Sequence, residues 1–377
     1  MKKKIYYWGP FLDRVGTIKA IHNSAEALNK YSNEYESTII NAVGEWDNIS
    51  SLDSSLNIIR LGKNYYKKLP RYSFIKSRFS YILIFLKSFN PLKKLLKKDQ
   101  PEFLIAHLIV SLPMVLFLLF KFKTKLYLRV SGKVKLNFFR KILWKISSKN
   151  INKVFCPTID AKNDLIKEKI FDQKKIFVLR DPIIKVNKYS KMKIEKSLVS
   201  SFHPENIILV GRLTKQKNFD LFVNAFSKIL KKFPELNANI FGDGELKTSL
   251  QKKIREYKLE KKIILHGSVD NIFKYLNRSK IFILTSLWED PGASLIEAAF
   301  CNTLIVSSNC PSGPQEFLLN GKGGFLFENN SETSLINSIE SAIRCTPAVK
   351  KEMKINAKKN LKLYTFFNHY NCLKAQL

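Results

Sequence analysis

The chain has 377 residues, more than one hydrophobic core usually organises, so two domains are expected. Apolar residues make up 45% and neither Gly nor Pro is enriched, which excludes a mostly disordered chain. Lys and Arg number 65 against 31 Asp and Glu, a net charge of +34 that attracts the phosphates of nucleic acid, anionic lipid or a phosphorylated substrate; a lysine-rich solvated surface is an equal alternative for the total and explains its uneven distribution less well.

In chain order, "MKKKIYYWGPFLDR" has a basic start with no apolar run behind it, so no secretory signal is read there. Short β-rich apolar runs follow at 4–9, 36–41, 56–61, 102–108, 125–130, 153–158 and 176–181, separated by helical patterns. The most apolar stretch, "FLIAHLIVSLPMVLFLLF" at 103–120, is interrupted by His, Ser and Pro. It reads as a buried strand and a buried helix, with a dip into a membrane surface as the second reading. From Arg60 to Lys153 there are 23 basic residues with only Asp99 and Glu102 against them. Residues 185–204 lose the apolar pattern and gain Lys and Ser, which predicts an interdomain linker.

Further strands are predicted at 206–211, 238–243, 262–267, 280–285, 303–308 and 324–329. Asn218 is expected to cap a helix whose Phe219, Phe222, Val223, Phe226, Leu230 and Phe233 recur at helical spacing, stopped by Pro234. Apolar strands alternating with helices predict an α/β protein of two Rossmann-like, doubly wound domains. Their expected bounds are 1–190 and 191–355, with a C-terminal helix in 356–377 crossing back to the first. Ligands of such sheets bind at the carboxyl ends of the strands, so facing domains would place a site in the cleft between them. Five cysteines without a Cys-x-x-Cys pair read as reduced thiols and give no zinc site.

The strand exits of the second half carry the chemistry. In "VGRLTKQKN", Gly211 permits a tight exit, and Arg212 and Lys217 precede a helix start. Two cations beside free N–H groups suit a diphosphate, while a basic surface loop has the same local sequence. "FGDGE" places Gly242 and Gly244 in a second turn. In "LWEDPGASLIEAAF", Glu289 lies in a loop, Pro291-Gly292 turns, and a helix starts near Ala293 or Ser294 whose N–H groups form an anion site. Glu297 sits about one turn inside, so both carboxylates can flank a ligand and accept from sugar or ribose hydroxyls. Taken alone, "SLIE" is a capping box, with Ser294 as cap and Glu297 reaching back. "NCPSGPQE" adds a turn at Gly313-Pro314 that brings Glu316 to the same edge.

Together, "GRLTKQKN", "IFGDGE", "LHGSV", "EDPGASLIE" and "PSGPQE...NGKGGFLF" resemble the donor domain of retaining glycosyltransferases of family 4, which have the GT-B fold; the likeness runs over about 206–343. The form "NCPSGPQE" is most similar to bacterial enzymes that build lipopolysaccharide, O-antigen or other surface polysaccharides. The resemblance implies that Arg212 and Lys217 hold the donor diphosphate, that Glu289 accepts from sugar hydroxyls, and that Glu297 takes the ribose. Backbone at Pro291, Gly292, Ala293, Ser294 and Leu295 would meet the distal phosphate or sugar. Gly211, Gly242 and Gly267 would line the donor side, with the loop beyond "LHGSV" bordering the base. In the first half, "GPFLDRVGTIKAIHNSAEALNK" is similar to the acceptor domain's first loop, which would put Gly16 near the donor phosphate. Where the family often has a histidine after the middle strand, this chain reads "LYLRVSGKV", leaving Arg129 or Ser131 in that place. His107, one strand earlier, is an alternative acceptor-side residue, although by itself it reads as a core histidine. No Asp-x-Asp stands at a comparable strand end, in agreement with a transferase that needs no metal and no cofactor.

The expected function is transfer of a hexose or N-acetylhexosamine from a nucleotide-diphospho-sugar, UDP first, to a glycan or lipid-linked acceptor, with the anomeric configuration retained. Fixed cations and helix N–H groups would stabilise the leaving diphosphate. The basic stretch lies in the acceptor half, and a lipid-linked or lipopolysaccharide acceptor at the inner face of the cytoplasmic membrane would explain its sign and location; a cytoplasmic, membrane-surface protein is therefore expected. Alternatives are a nucleic-acid-binding protein, a peripheral scaffold with an inactive transferase fold, and a GT-B enzyme of phosphorylase or epimerase chemistry. Nucleic acid is not expected as a partner, because the chain lacks a finger, RNP or helix-turn-helix signature.

Overall fold

The computed structural model describes residues 2–12, 16–47, 56–70, 74–132, 136–204 and 206–377. Residues 13–15 of the predicted first strand-to-helix loop, and 71–73 and 133–135 of the basic stretch, lie outside the described residues.

Two compact units divide the chain: Met1–Pro182 with Phe366–Leu377, and Ile183–Thr365. The first holds strands β1 (Lys3–Trp8), β2 (Tyr35–Asn41), β3 (Asn57–Arg60), β4 (Phe103–Ala106), β5 (Lys125–Arg129), β6 (Ile151–Cys156) and β7 (Ile176–Val178), in the order β3-β2-β1-β4-β5-β6-β7. The second holds β8 (Ile207–Val210), β9 (Ala238–Phe241), β10 (Ile263–Gly267), β11 (Ile281–Leu284), β12 (Leu304–Ser308) and β13 (Phe325–Phe327), in the order β10-β9-β8-β11-β12-β13. Every neighbouring pair is parallel. Each predicted strand is present; the exits shorten where turn residues such as His107, Gly242 and Asp243 leave the ladder.

Alternation along each strand explains the apolar runs. On β1, Tyr6 and Trp8 pack into one core cluster while Ile5 and Tyr7 pack into another. On β11, Ile281 and Ile283 face one cluster and Phe282 and Leu284 the other. Both faces are buried, so both must be apolar. The stretch 103–120 forms β4 and the helix Ser111–Leu119, whose Leu112, Met114 and Leu116 are buried. Among the described residues, no helix is long and apolar enough to cross a membrane.

Two expectations need correction. Residues 185–204 are no linker: the second unit begins at Ile183 and includes them. Ile183, Ile184, Tyr189 and Phe202 belong to its core, and Tyr189 stacks on Phe273 at 4.1 Å. A few large apolar side chains among many lysines suffice to anchor a short segment, and average composition hides them. Asn218 is not a side-chain cap. It adopts φ 49° before the helix Phe219–Ile229, and its Nδ2 donates to Asn330 Oδ1 at 3.0 Å. That helix ends at Ile229, ahead of Pro234.

The boundaries also differ from 190 and 356. The helix Pro347–Leu361 stays in the second unit, and the helix Phe366–Lys374 packs in the first. His369 anchors the latter. Its Nδ1–H donates to the Arg180 carbonyl at 2.7 Å, so its Nε2 accepts from Ser24 Oγ, also at 2.7 Å. Burial pushes its pKa down to about 4. The imidazole is therefore neutral when folded, whereas the unfolded chain takes up a proton below about pH 6.5. Stability contributed by this group is complete above that pH and is lost as the pH falls toward 4. Urea titrations across this range should show a decline that is smaller by about 3 kcal/mol in His369→Gln.

Candidate functional site

In the second unit, β8 leads outward through β9 to β10 on one side, while β11, β12 and β13 extend the other side. The exits of β8 and β11 thus flank a topological switch point, where open parallel sheets bind ligands. Across it Lys217 Nζ donates to Glu289 Oε1. Several hydroxyls fix this pair. Ser286 Oγ donates to the same carboxylate oxygen at 2.5 Å, Thr285 Oγ1 donates to the Lys217 carbonyl at 2.8 Å, and Ser308 Oγ donates to the Ser286 carbonyl at 2.6 Å. The backbones are tied too: Leu287 N–H donates to the Gln216 carbonyl, and Gln216 Nε2 to the Trp288 carbonyl, both at 2.8 Å. Glu289 is only 5% exposed, so this carboxylate is held where water contributes little.

Arg212 and Lys217 therefore differ in a way their sequence spacing did not reveal. Lys217 is paired with a carboxylate, while Arg212 is exposed and has no ion pair among the described residues. Gly211 makes room for the lysine stem: a Cβ there would lie 3.2 Å from Lys217 Cε.

Three predicted glycines converge at adjacent strand ends. Gly211 N–H donates to the Phe241 carbonyl at 3.0 Å and Gly242 N–H to the Gly267 carbonyl at 2.8 Å. Gly242 has φ +140°, and a Cβ on it would lie 1.8 Å from the Gly211 carbonyl oxygen. Only glycine lets these two turns approach so closely. The loops after β11 and β12 are joined as well. Glu289 N–H donates to the Pro311 carbonyl at 3.2 Å, and Ser312 Oγ donates to Asp290 Oδ1 at 2.8 Å.

The helix Ala293–Phe300 starts from Gly292 at φ +92°, not from Ser294. Ser294 is its second residue, with its Oγ buried and without a hydrogen-bond partner among the described residues, so the capping box does not form. Pro291, Gly292, Ala293, Ser294 and Leu295 thus make the turn and first helical residues directly after Glu289. Glu297 is buried further along the helix, near Cys301, whose thiol is pushed up to about 12 by burial and then by this carboxylate. Glu316 lies half-buried in the short helix Pro314–Phe317. The loop after Gly267 borders a cavity of about 590 Å³ with Ser268, Asp270, Asn271 and Lys274 on one side and Met192 and Glu195 on the other. Met192 and Glu195 escaped sequence reading because their segment looked like a linker.

In the first unit the corresponding switch point lies between β1 and β4. His107 follows β4; its N–H donates to the Trp8 carbonyl at 2.8 Å, and both buried ring nitrogens lack a hydrogen-bond partner among the described residues. Burial, then the charges of Arg129 and His369, hold its pKa well below the ordinary histidine range. His107, Arg129 and Ser131 line one cavity of about 210 Å³, together with Arg140 and Trp144. Arg129 is committed: it donates to Asp181 Oδ1 at 2.5 Å and to the Val130 carbonyl. Arg129→Ala should leave the mostly buried Asp181 carboxylate unpaired and cost about 3 kcal/mol, measurable by urea unfolding. Gly16 opens the helix Gly16–Tyr31 in this unit, and a Cβ there would meet no described residue within 4 Å.

Residues 190–360 match the family described as glycosyl transferases group 1. Over 137 residues the chain is 35% identical to an uncharacterized glycosyltransferase of Methanocaldococcus jannaschii, covering 36% of this chain and 34% of that one. It is 29% identical over 198 residues, 52% of each chain, to the N-acetylgalactosamine-N,N'-diacetylbacillosaminyl-diphospho-undecaprenol 4-alpha-N-acetylgalactosaminyltransferase of Campylobacter jejuni. The chain thus spans about a third to a half of the length of these curated relatives. The Anabaena protein HepE, solved in complex with UDP and glucose, superposes with a TM-score of 0.74 at 12% identity and 99% coverage of both chains. The two parallel α/β units and this likeness give the fold as GT-B.

Proposed function

We propose that this protein is a retaining glycosyltransferase of family 4 that moves a hexose or N-acetylhexosamine from a UDP-sugar to a glycan or lipid-linked acceptor. The observation that carries the reading is the Lys217–Glu289 pair, fixed by hydroxyls across the switch point and followed at once by the turn and helix start at Gly292–Ala293. In this reading Glu289 accepts from donor hydroxyls, while Lys217, Arg212 and the helix N–H groups receive charge that develops on the departing diphosphate. Glu297 takes the ribose, and the glycines at 211, 242 and 267 let backbone approach the nucleotide. No metal and no cofactor takes part.

The Campylobacter relative's name specifies a diphospho-undecaprenol-linked glycan. This supports a lipid-linked acceptor in surface-polysaccharide synthesis, of the lipopolysaccharide or O-antigen kind, and a place in the cytoplasm at the inner face of the membrane. The test is thermal unfolding with UDP, UDP-glucose and UDP-N-acetylglucosamine, with and without EDTA. A bound nucleotide at a hundred times its Kd should add roughly 3 kcal/mol of stability, unaffected by EDTA. No shift with any of the three, or a shift abolished by EDTA, would count against the donor reading.

A further inference from the structure

We propose that two helices of the first unit form a face that seats on an anionic phospholipid bilayer. In the helix Phe74–Asp99, the side chains of Ile75, Phe79, Ile82 and Leu86 recur at spacings of four, three and four, which is a single stripe. All four are more than half exposed, while Ile84 on the opposite side enters the core, as do Leu92 and Leu96 beyond Pro91. The helix Phe138–Ser147 repeats the arrangement. Phe138, Phe139, Ile142 and Ile146 are 42–80% exposed, while Trp144 and Ser147 are buried. A surface helix ordinarily turns its apolar side inward. Here each helix has a packed side and, across from it, a second apolar stripe facing out, and contiguous exposed apolar surface of this kind marks an interaction site.

The helices belong to one neighbourhood. The helix Ser111–Leu119 packs against both, and its own Leu119 is exposed. Burial, then the charge of Arg78 on the first helix, lowers the pKa of Arg140 on the second. Lys76, Arg78 and Lys87 are exposed on the first helix and Lys145 on the second, while Lys141 pairs with Glu168 at 2.9 Å and Arg140 lies over the Trp144 ring on the packed side. The only acid in either helix is Asp99, at the far end, where it accepts from Tyr6. Apolar side chains rimmed by cations fit a surface of acyl chains beneath anionic headgroups. A second copy would bring the same positive rim and be repelled, so the occupant that satisfies both features is a bilayer. The inference rests on the membrane location proposed above and names the surface that would provide it.

The test is flotation of the full chain with phosphatidylcholine vesicles and with vesicles also containing phosphatidylglycerol. The wild type should partition to the anionic vesicles, and added salt should weaken this. The quadruple variant Ile82→Ser, Leu86→Ser, Phe138→Ser, Phe139→Ser should bind about tenfold less or weaker, with an unchanged unfolding midpoint because all four positions are exposed. Val349→Ser with Ile355→Ser, exposed apolar positions of the second unit, should bind like the wild type. UDP binding by the quadruple variant separates this inference from the donor reading: retained UDP binding with lost flotation supports the face. Flotation of the quadruple variant at the wild-type level, equal binding of the wild type to neutral vesicles, or a wild-type dimer that the substitutions dissolve without any vesicle binding would overturn it.

Discussion

Glu289→Gln is expected to lower sugar transfer by about 100- to 1000-fold while leaving the fold intact. The amide oxygen of Gln can still accept from Lys217 and Ser286, so the local hydrogen bonds survive and only the negative charge goes. Lys217→Ala should lower transfer comparably for another reason, because it removes the cation and leaves a buried carboxylate without its partner. That variant should also lose about 3 kcal/mol of stability. The double variant Lys217→Ala, Glu289→Gln should recover part of that stability and show rates well short of the product of the single losses, as contacting residues do not act additively. UDP release from UDP-glucose or UDP-N-acetylglucosamine, followed beside urea unfolding, separates the two effects. Turnover of Glu289→Gln close to the wild type would remove this carboxylate from the chemistry.

Gly242→Ala should be the most destabilising glycine substitution at the strand exits, costing about 4 kcal/mol. Its Cβ would overlap the Gly211 carbonyl oxygen at 1.8 Å, so the turns after β8 and β9 would have to separate, and φ +140° is itself unfavourable for alanine. Separation would also shift Lys217 relative to Glu289, and UDP binding should weaken with stability. Gly267→Ala is the internal comparison. Its φ is +72° but nothing lies within 4 Å of the added Cβ, so only conformational strain of about 1 kcal/mol applies. Equal losses at both positions in urea unfolding would show that close approach of the turns is not what glycine provides at 242.

Much of this was legible beforehand. Strands such as "KIFILT" and "TLIVSS" were readable because a parallel sheet buried on both faces demands apolar side chains at every position. The glycines at 242 and 292 were readable as turns, since positive φ is nearly their monopoly. Other features were not. Ser286 and Ser308 carry no signal as single serines in a loop and at a strand end, yet they hold Glu289 in place. Asp181 ended a predicted strand and turned out to be the partner of Arg129. Ser294 satisfied a capping pattern that Gly292 pre-empted by starting the helix two residues sooner.

By itself the amino-acid order determined the local events: where strands run, where glycine must sit, and where cations and carboxylates gather at strand ends. These follow from side-chain volume, polarity and backbone freedom, all of which act over a few residues. Tertiary structure alone decided that β8 lies beside β11, and hence that Lys217 meets Glu289 while Arg212 stays in solvent. It also decided that two helices would carry apolar stripes outward. Strand order and helix orientation come from packing between segments tens of residues apart, and no local pattern encodes which of several cations will reach a given carboxylate.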